Sequence, residues 1–255
     1  MSGERILVVD DDVELLEQVS DYLVQQGLKV SKAVDGTEGL TMLSGQRFDL
    51  VLLDVIMPGL DGFSACRRIR ETSQIPIIMA TAIGDESAKI QMLQAGADDY
   101  VVKPFSLPEL HARMNAVLRR ATIYSPSQET PEFTKDDLKI DYLSHQVTVS
   151  GKEIELTSTE FNLLKELTTH AGEVLTHRAL LHAVWGAEYG EEREYVRVFV
   201  NRLRQKLGDD PHRRGSSRPR PEWATNSLKA HEADSGLNPN RPVPVARAVY
   251  AIGAF

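Results

Sequence analysis

Ile6-Leu-Val-Val-Asp10-Asp11, Leu50-Val-Leu-Leu-Asp54, Ile75-Pro-Ile-Ile-Met-Ala-Thr81 and Tyr100-Val-Val-Lys103-Pro104 follow one pattern: a short apolar run, rich in β-branched residues, ends on a polar one. Such runs (6–9, 50–53, 75–79 and 100–102) read as strands of a parallel sheet buried on both faces. In an open α/β sheet the ligand lies beyond the carboxyl ends of the strands, which is where Asp10, Asp11, Asp54, Thr81 and Lys103 fall. Any one of these residues alone would be an ordinary solvated loop residue. The ordered set on successive strands is what points to a site.

Three carboxylates, a hydroxyl and an ammonium in one place suit a hard divalent cation and a phosphoryl group. Asp10 and Asp11 offer the oxygen ligands that Mg2+ prefers. Asp54 serves as a further ligand and as a nucleophile able to form an aspartyl-phosphate. Thr81 and Lys103 are placed to take the phosphoryl oxygens and spread the charge that develops on them.

Through Val8-Val-Asp-Asp-Asp12, Leu52-Leu-Asp-Val-Ile-Met-Pro-Gly59, Thr81-Ala82 and Lys103-Pro-Phe105, residues 1–121 resemble a response-regulator receiver domain. The resemblance implies a flavodoxin-like, doubly wound, five-stranded parallel α/β fold with Asp54 as phospho-acceptor. It also implies that the backbone carbonyl of Ile56 completes the Mg2+ shell and that Tyr100 is an aromatic switch coupled to Thr81. A sensor histidine kinase would be the phosphoryl donor. Phosphorylation would promote a homodimer through the cross-chain pairs Lys89–Glu109, Asp99–Arg113 and Asp98–Arg120. Without the resemblance, Tyr100 reads equally as a half-buried strand residue and the charges as a solvated surface. An aspartate-nucleophile phosphatase would share Asp54 and the metal but carry a second Asp two residues on, where Ile56 stands.

The chain has 255 residues, 42% of them apolar, which is enough for a core in each of two domains. No apolar stretch approaches the ~18 residues of a membrane span, and the start Met1-Ser-Gly-Glu-Arg5 is no signal peptide, so a cytoplasmic protein without membrane contact is expected. Cys66 is the single cysteine, which excludes an internal disulfide. A net charge of −8 argues against DNA binding until it is divided, because residues 193–214 carry seven basic against three acidic residues.

Periodicity stops in Thr122-Ile-Tyr-Ser-Pro-Ser-Gln-Glu-Thr-Pro131, which marks a linker over 122–134. Alternating strands are expected at 138–142, 146–150 and 153–156. Leu156-Thr-Ser-Thr-Glu-Phe161 then opens a helix, with Thr157 as cap and Glu160 at the capping-box position. A short helix over 178–185 and a longer one over 192–207 follow. In the last, Val196, Val200, Leu203 and Leu207 form an apolar stripe, while Arg193, Arg197, Asn201 and Arg204 lie on the other side with Arg202 flanking. Arg reads guanine, Asn reads adenine, and further cations hold phosphates. An Arg-rich amphipathic helix by itself is more often a solvated face. The preceding Leu156–Phe161 and Leu180-Leu-His-Ala-Val-Trp185 make 135–214 resemble the small α+β winged-helix effector of the OmpR/PhoB family. That resemblance implies promoter DNA as ligand, RNA polymerase as a possible partner, and 193–207 as the recognition helix.

The family ends in a β-hairpin wing closing on a Gly-x-Gly-Tyr-Arg-Phe-like sequence. Here Arg213-Arg-Gly-Ser-Ser-Arg-Pro-Arg-Pro-Glu-Trp223 follows instead, so the usual C-terminal hairpin is expected to be missing and 215–255 to be a disordered tail. Codons permitted for Gly215–Ser227, read in a shifted frame, spell Ile-Ile-Pro-Thr-Glu-Ala-Gly-Val-Gly-Tyr-Gln-Phe. A frameshift near Arg213–Gly215 is therefore one origin for this ending. The reading is a phosphorylation-dependent transcriptional regulator. The alternative is a phosphorelay or interaction protein whose specific DNA binding is impaired.

Overall fold

A computed structural model describes residues 3–122, 132–171, 174–187, 189–190, 192–208 and 243–244. The chain divides into two compact units, the first ending after its fifth helix. In that unit five strands alternate with five helices: β1 (Arg5–Val9), α1 (Val13–Gln25), β2 (Lys29–Ala33), α2 (Gly36–Gly45), β3 (Leu50–Asp54), α3 (Gly62–Arg70), β4 (Ile77–Thr81), α4 (Glu86–Ala95), β5 (Asp99–Val102) and α5 (Leu107–Thr122). The sheet is parallel with order β2-β1-β3-β4-β5, the flavodoxin-like winding. Strands β3 and β4 are buried along their whole length, as their apolar runs dictate. Ile6, Val8, Leu50, Leu52 and Ile78 pack with Leu16, Leu23, Leu110, Met114 and Val117 of α1 and α5 into one core.

Helix starts are set by aspartates. Asp12, Asp35, Asp61 and Asp85 cap α1 to α4, each carboxylate accepting first-turn amides that would otherwise lack a partner. At Gly62 a Cβ would lie 2.1 Å from the carbonyl oxygen of Asp54, so only glycine lets α3 begin hard against the end of β3. That approach fixes the backbone after Asp54.

The second unit begins with an antiparallel meander of β6 (Glu132–Lys135), β7 (Leu138–Asp141), β8 (Gln146–Val149) and β9 (Lys152–Glu153). There follow α6 (Ser158–Thr169), β10 (Val174–Leu175), α7 (His177–Trp185), α8 (Arg193–Lys206) and β11 (Val243–Pro244). Trp185 of α7 meets Tyr195 and Phe199 of α8 edge-on, at centroid distances of 5.5 and 5.1 Å. The Tyr142 hydroxyl and Thr168 Oγ1, 2.8 Å apart, tie the meander to α6.

Several boundaries differ from the sequence reading. β2 reads Lys-Val-Ser-Lys-Ala, and as an edge strand it is mostly half-buried or exposed, so it forms no apolar run. β4 starts two residues later than its apolar run, because Pro76 precedes it and contributes only its carbonyl, to the Val51 amide. β6 begins at Glu132, inside the stretch read as linker, because Phe133 and its neighbours pair with β7. The tail expected to be wholly disordered supplies β11, whose Pro244 and Val243 lie antiparallel to Val174 and Leu175. The rest of 215–255 lies outside the described residues.

Candidate functional site

At the carboxyl edge of the parallel sheet, the ends of β1, β3, β4 and β5 bring Asp10, Asp54, Thr81 and Lys103 together. Asp10 is 5% exposed and Asp54 4%. The Lys103 ammonium lies between them, 2.7 Å from Asp10 Oδ2 and 2.6 Å from Asp54 Oδ1. Asp54 Oδ2 accepts the Ile56 N–H at 3.0 Å, and Asp10 Oδ1 accepts the Asp12 N–H at 3.0 Å. Thr81 Oγ1 accepts the Ile83 N–H at 3.0 Å. The Lys103–Pro104 peptide is cis. Carboxylate oxygens of Asp10, Asp11 and the buried Asp54 lie within 4.8 Å of one another, with Asp11 exposed at the mouth. Hard oxygen donors converging this closely form a set that a small divalent cation satisfies.

Burial pushes the Asp54 carboxyl above its ordinary range, against the hydrogen bond and charge of Lys103, while the charge of Asp10 adds to the rise. Burial also acts to lower Lys103, but its hydrogen bonds and charge contacts with Asp10 and Asp54 hold it above its usual value. The two shifts share a sign for different reasons: burial dominates at Asp54, and the two carboxylate partners outweigh burial at Lys103. Tyr100 is buried, with Lys89 Nζ 5.6 Å from its ring centroid.

The residues expected at a dimer surface lie on α4, β5 and α5, already engaged within the protomer. Arg113 reaches Asp99 at 3.6 Å and Glu109 at 3.4 Å, and Arg120 lies 4.0 Å from Asp99. Asp98 does not face outward as expected. Its carboxylate pairs with Arg70 at 2.8 Å and accepts the Ile77 N–H at 3.0 Å, because the chain turns it under the start of β4.

On α8, Arg197 and Asn201 are exposed and Arg204 is half-buried. Arg193 begins the helix, and its side chain lies outside the described residues. Arg202, expected beside the DNA-facing residues, turns inward instead and pairs with the buried Glu160 at 2.8 Å. Sequence reasoning placed Glu160 only at a capping-box position and missed its pairing with Arg202 and Lys206, as it missed Arg70 as a structural charge. The signal for the first was the pair of cations at 202 and 206, one helical turn apart beside the apolar stripe.

The profile of the response regulator receiver domain matches residues 6–115, and that of the C-terminal domain of transcriptional regulatory proteins matches 151–216. Regulatory protein VanRc of Enterococcus gallinarum is 39% identical over 214 residues, covering 83% of this chain and 93% of that protein. Transcriptional regulatory protein AfsQ1 of Streptomyces coelicolor is 41% identical over 206 residues, covering 81% and 90%. The chain belongs to the OmpR/PhoB family of response regulators. Among solved structures, a mutant of RitR superposes on this OmpR/PhoB-type regulator with a TM-score of 0.67 at 27% identity, covering 86% of this chain and 96% of that one. Family membership makes the protein a phosphorylation-dependent transcriptional regulator of a two-component system, a transcription factor rather than an enzyme, with a histidine kinase and DNA as partners. Among the described residues no helix is long and apolar enough to cross a membrane.

Proposed function

We propose that Asp54 receives the phosphoryl group and that the modified receiver dimerises and delivers α8 to promoter DNA. The observation that carries this reading is the Lys103 ammonium held 2.7 Å from Asp10 and 2.6 Å from Asp54. A carboxylate oxygen of Asp54 attacks phosphorus as the bond from phosphorus to the kinase imidazole nitrogen breaks, the imidazole leaving with the bonding pair. Asp10, Asp11, Asp54 and the Ile56 carbonyl would hold Mg2+, which when bound neutralises charge on the phosphoryl oxygens. Lys103 exchanges its Asp54 contact for a phosphoryl oxygen, and the Thr81 hydroxyl turns toward another. The acyl phosphate carries about −1.5 to −2 of charge where the carboxylate carried about −1, and differential contacts to its oxygens shift the population between two arrangements of Thr81 and Tyr100.

In the favoured arrangement, Lys89, Asp99, Glu109 and Arg113 meet their counterparts on a second copy, while Arg120 stays beside Asp99 because its expected partner Asp98 is held by Arg70. Asn201 reads a base edge, with Arg193, Arg197 and Arg204 at the phosphate backbone. The same reading places the protein in the cytoplasm, with a receiver over 1–121, an effector over 135–214 and RNA polymerase as a promoter partner. Labelling with acetyl phosphate and Mg2+ tests it: Asp54→Asn should take up no phosphoryl group, and labelling equal to wild type overturns the assignment.

A second reading, a phosphorelay or interaction protein with weakened operator discrimination, is favoured by the effector match stopping at residue 216. The tail's basic residues support non-specific, salt-sensitive binding without a defined wing. Replacing 215–255 by Ile-Ile-Pro-Thr-Glu-Ala-Gly-Val-Gly-Tyr-Gln-Phe should raise the ratio of specific to non-specific binding at fixed salt. Equal ratios overturn this second reading.

A further inference from the structure

The cations of α8 divide into two groups that sequence alone places together. Arg197 is exposed, whereas the Arg202 side chain is 11% exposed and points at α6. There Glu160, with no exposure at all, takes Arg202 Nη2 on Oε1 at 2.8 Å and Lys206 Nζ on Oε2 at 2.7 Å. Lys206 also donates to the Glu155 carbonyl oxygen at 2.9 Å, just before α6, and the Arg202 guanidinium lies 4.6 Å from the Phe199 ring centroid. One buried carboxylate thus has each oxygen held by a cation from successive turns of one helix.

The geometry points to Glu160 as the positioning residue of the recognition helix, with Arg202 and Lys206 committed to it rather than to DNA phosphates. This rests on the reading that α8 faces DNA through Arg197 and Asn201. An apolar stripe fixes which face of a helix is buried but tolerates small slides and rotations. A fully buried carboxylate does not, because losing either cation leaves one of its oxygens with neither solvent nor its cation. A slip of one residue rotates the helix by about 100° and moves it about 1.5 Å along its axis, which breaks both contacts at once. Glu160 therefore sets the rotation at which Arg197 and Asn201 are presented.

Full-length protein binding a mixed-sequence DNA duplex across a salt series separates the two roles of arginine. Each phosphate contact contributes about 0.9 to the slope of log K against log salt, so Arg197→Gln should flatten the slope by about that amount. Arg202→Gln should leave it unchanged, as should the pair Glu160→Gln with Arg202→Gln, which leaves no buried charge at that contact. Flattening by Arg202→Gln to the same extent as Arg197→Gln overturns the inference. An unchanged slope in Arg197→Gln instead overturns the reading that α8 faces DNA.

Hydrogen exchange without DNA reads positioning directly, also for a variant that binds none. Glu160→Gln should speed amide exchange in residues 196–206 by about tenfold or more while leaving the first unit protected, as expected for local opening. Unchanged protection across 196–206 would show that Glu160 does not hold the helix.

Discussion

Arg70 and Asp98 form a closed pair inside one protomer, Nη2 to Oδ2 at 2.8 Å, with both side chains largely withdrawn from solvent. Three further donors of Arg70 go to the carbonyl oxygens of Gly96, Ser73 and Ile75, at 2.9, 3.2 and 2.6 Å. This guanidinium stitches the end of α3 to both the approach to β4 and the turn before β5. The close packing at Gly96, where a Cβ would lie 2.7 Å from the Arg70 side chain, keeps that turn within reach.

Arg70→Ala should therefore destabilise the first unit by about 3–5 kcal/mol, the usual cost of stranding a buried charge. Asp98→Asn should cost less, since the amide oxygen still accepts the Ile77 N–H. Urea unfolding of the full chain measures both. A loss below about 1 kcal/mol for Arg70→Ala would place it among ordinary surface substitutions and refute the role.

Asp98 and Arg202 show where the sequence stops being legible. Strands buried on both faces announce themselves by composition, and the polar residues ending them are legible because sheet topology brings strand ends together. A charged residue, by contrast, carries no mark of whether it faces water or a buried partner far away in the chain. Asp98 meets Arg70 and Arg202 meets Glu160 only through tertiary packing. The edge strand β2 was invisible for the opposite reason: half-exposed, it needs no apolar run.

Mg2+ should stabilise the receiver by binding its folded form only. At a hundred times its Kd a ligand adds about 2.7 kcal/mol, so the thermal midpoint should rise with Mg2+ and fall back on adding EDTA. Asp11→Ala removes the exposed carboxylate and leaves the Lys103 bridge between Asp10 and Asp54 intact. It should need far more Mg2+ for the same rise, and an unaltered Mg2+ response would remove Asp11 from the ligand set.

His145 stacks on Phe161 at a centroid distance of 4.3 Å. His145 is exposed, yet partial desolvation lowers its pKa from the ordinary 6.5, the Lys165 charge lowers it further, and Asp141 partly opposes them. A histidine with a depressed folded pKa favours the folded state when neutral. Its contribution is present above 6.5 and is lost as pH falls through the folded value. Proton NMR should find the His145 ring titrating below 6.5, and Lys165→Gln should move it upward; a ring titrating above that value contradicts the packing.

Arg113 must exchange partners if the α4–β5–α5 face becomes a dimer interface. Within the protomer it already lies 3.6 Å from Asp99 and 3.4 Å from Glu109, so cross-chain pairs replace contacts rather than add them. Only the Glu109 side of this pairing is exposed, where an ion pair is worth about 0–1 kcal/mol and selects which surfaces meet more than how tightly, whereas the Asp99 side chain is fully buried. Reversal is then more damaging than removal. Arg113→Glu sets a carboxylate beside Asp99 and Glu109 on both copies, whereas Arg113→Gln merely deletes an attraction. With beryllofluoride as phosphoryl mimic, wild type should shift from monomer to dimer in sedimentation. Arg113→Glu should weaken that dimer by about tenfold or more, equivalent to about 1.4 kcal/mol, and Arg113→Gln by less. If Arg113→Glu dimerises as well as wild type, Arg113 lies outside the interface. If wild type shows no mimic-dependent mass change, this face does not dimerise.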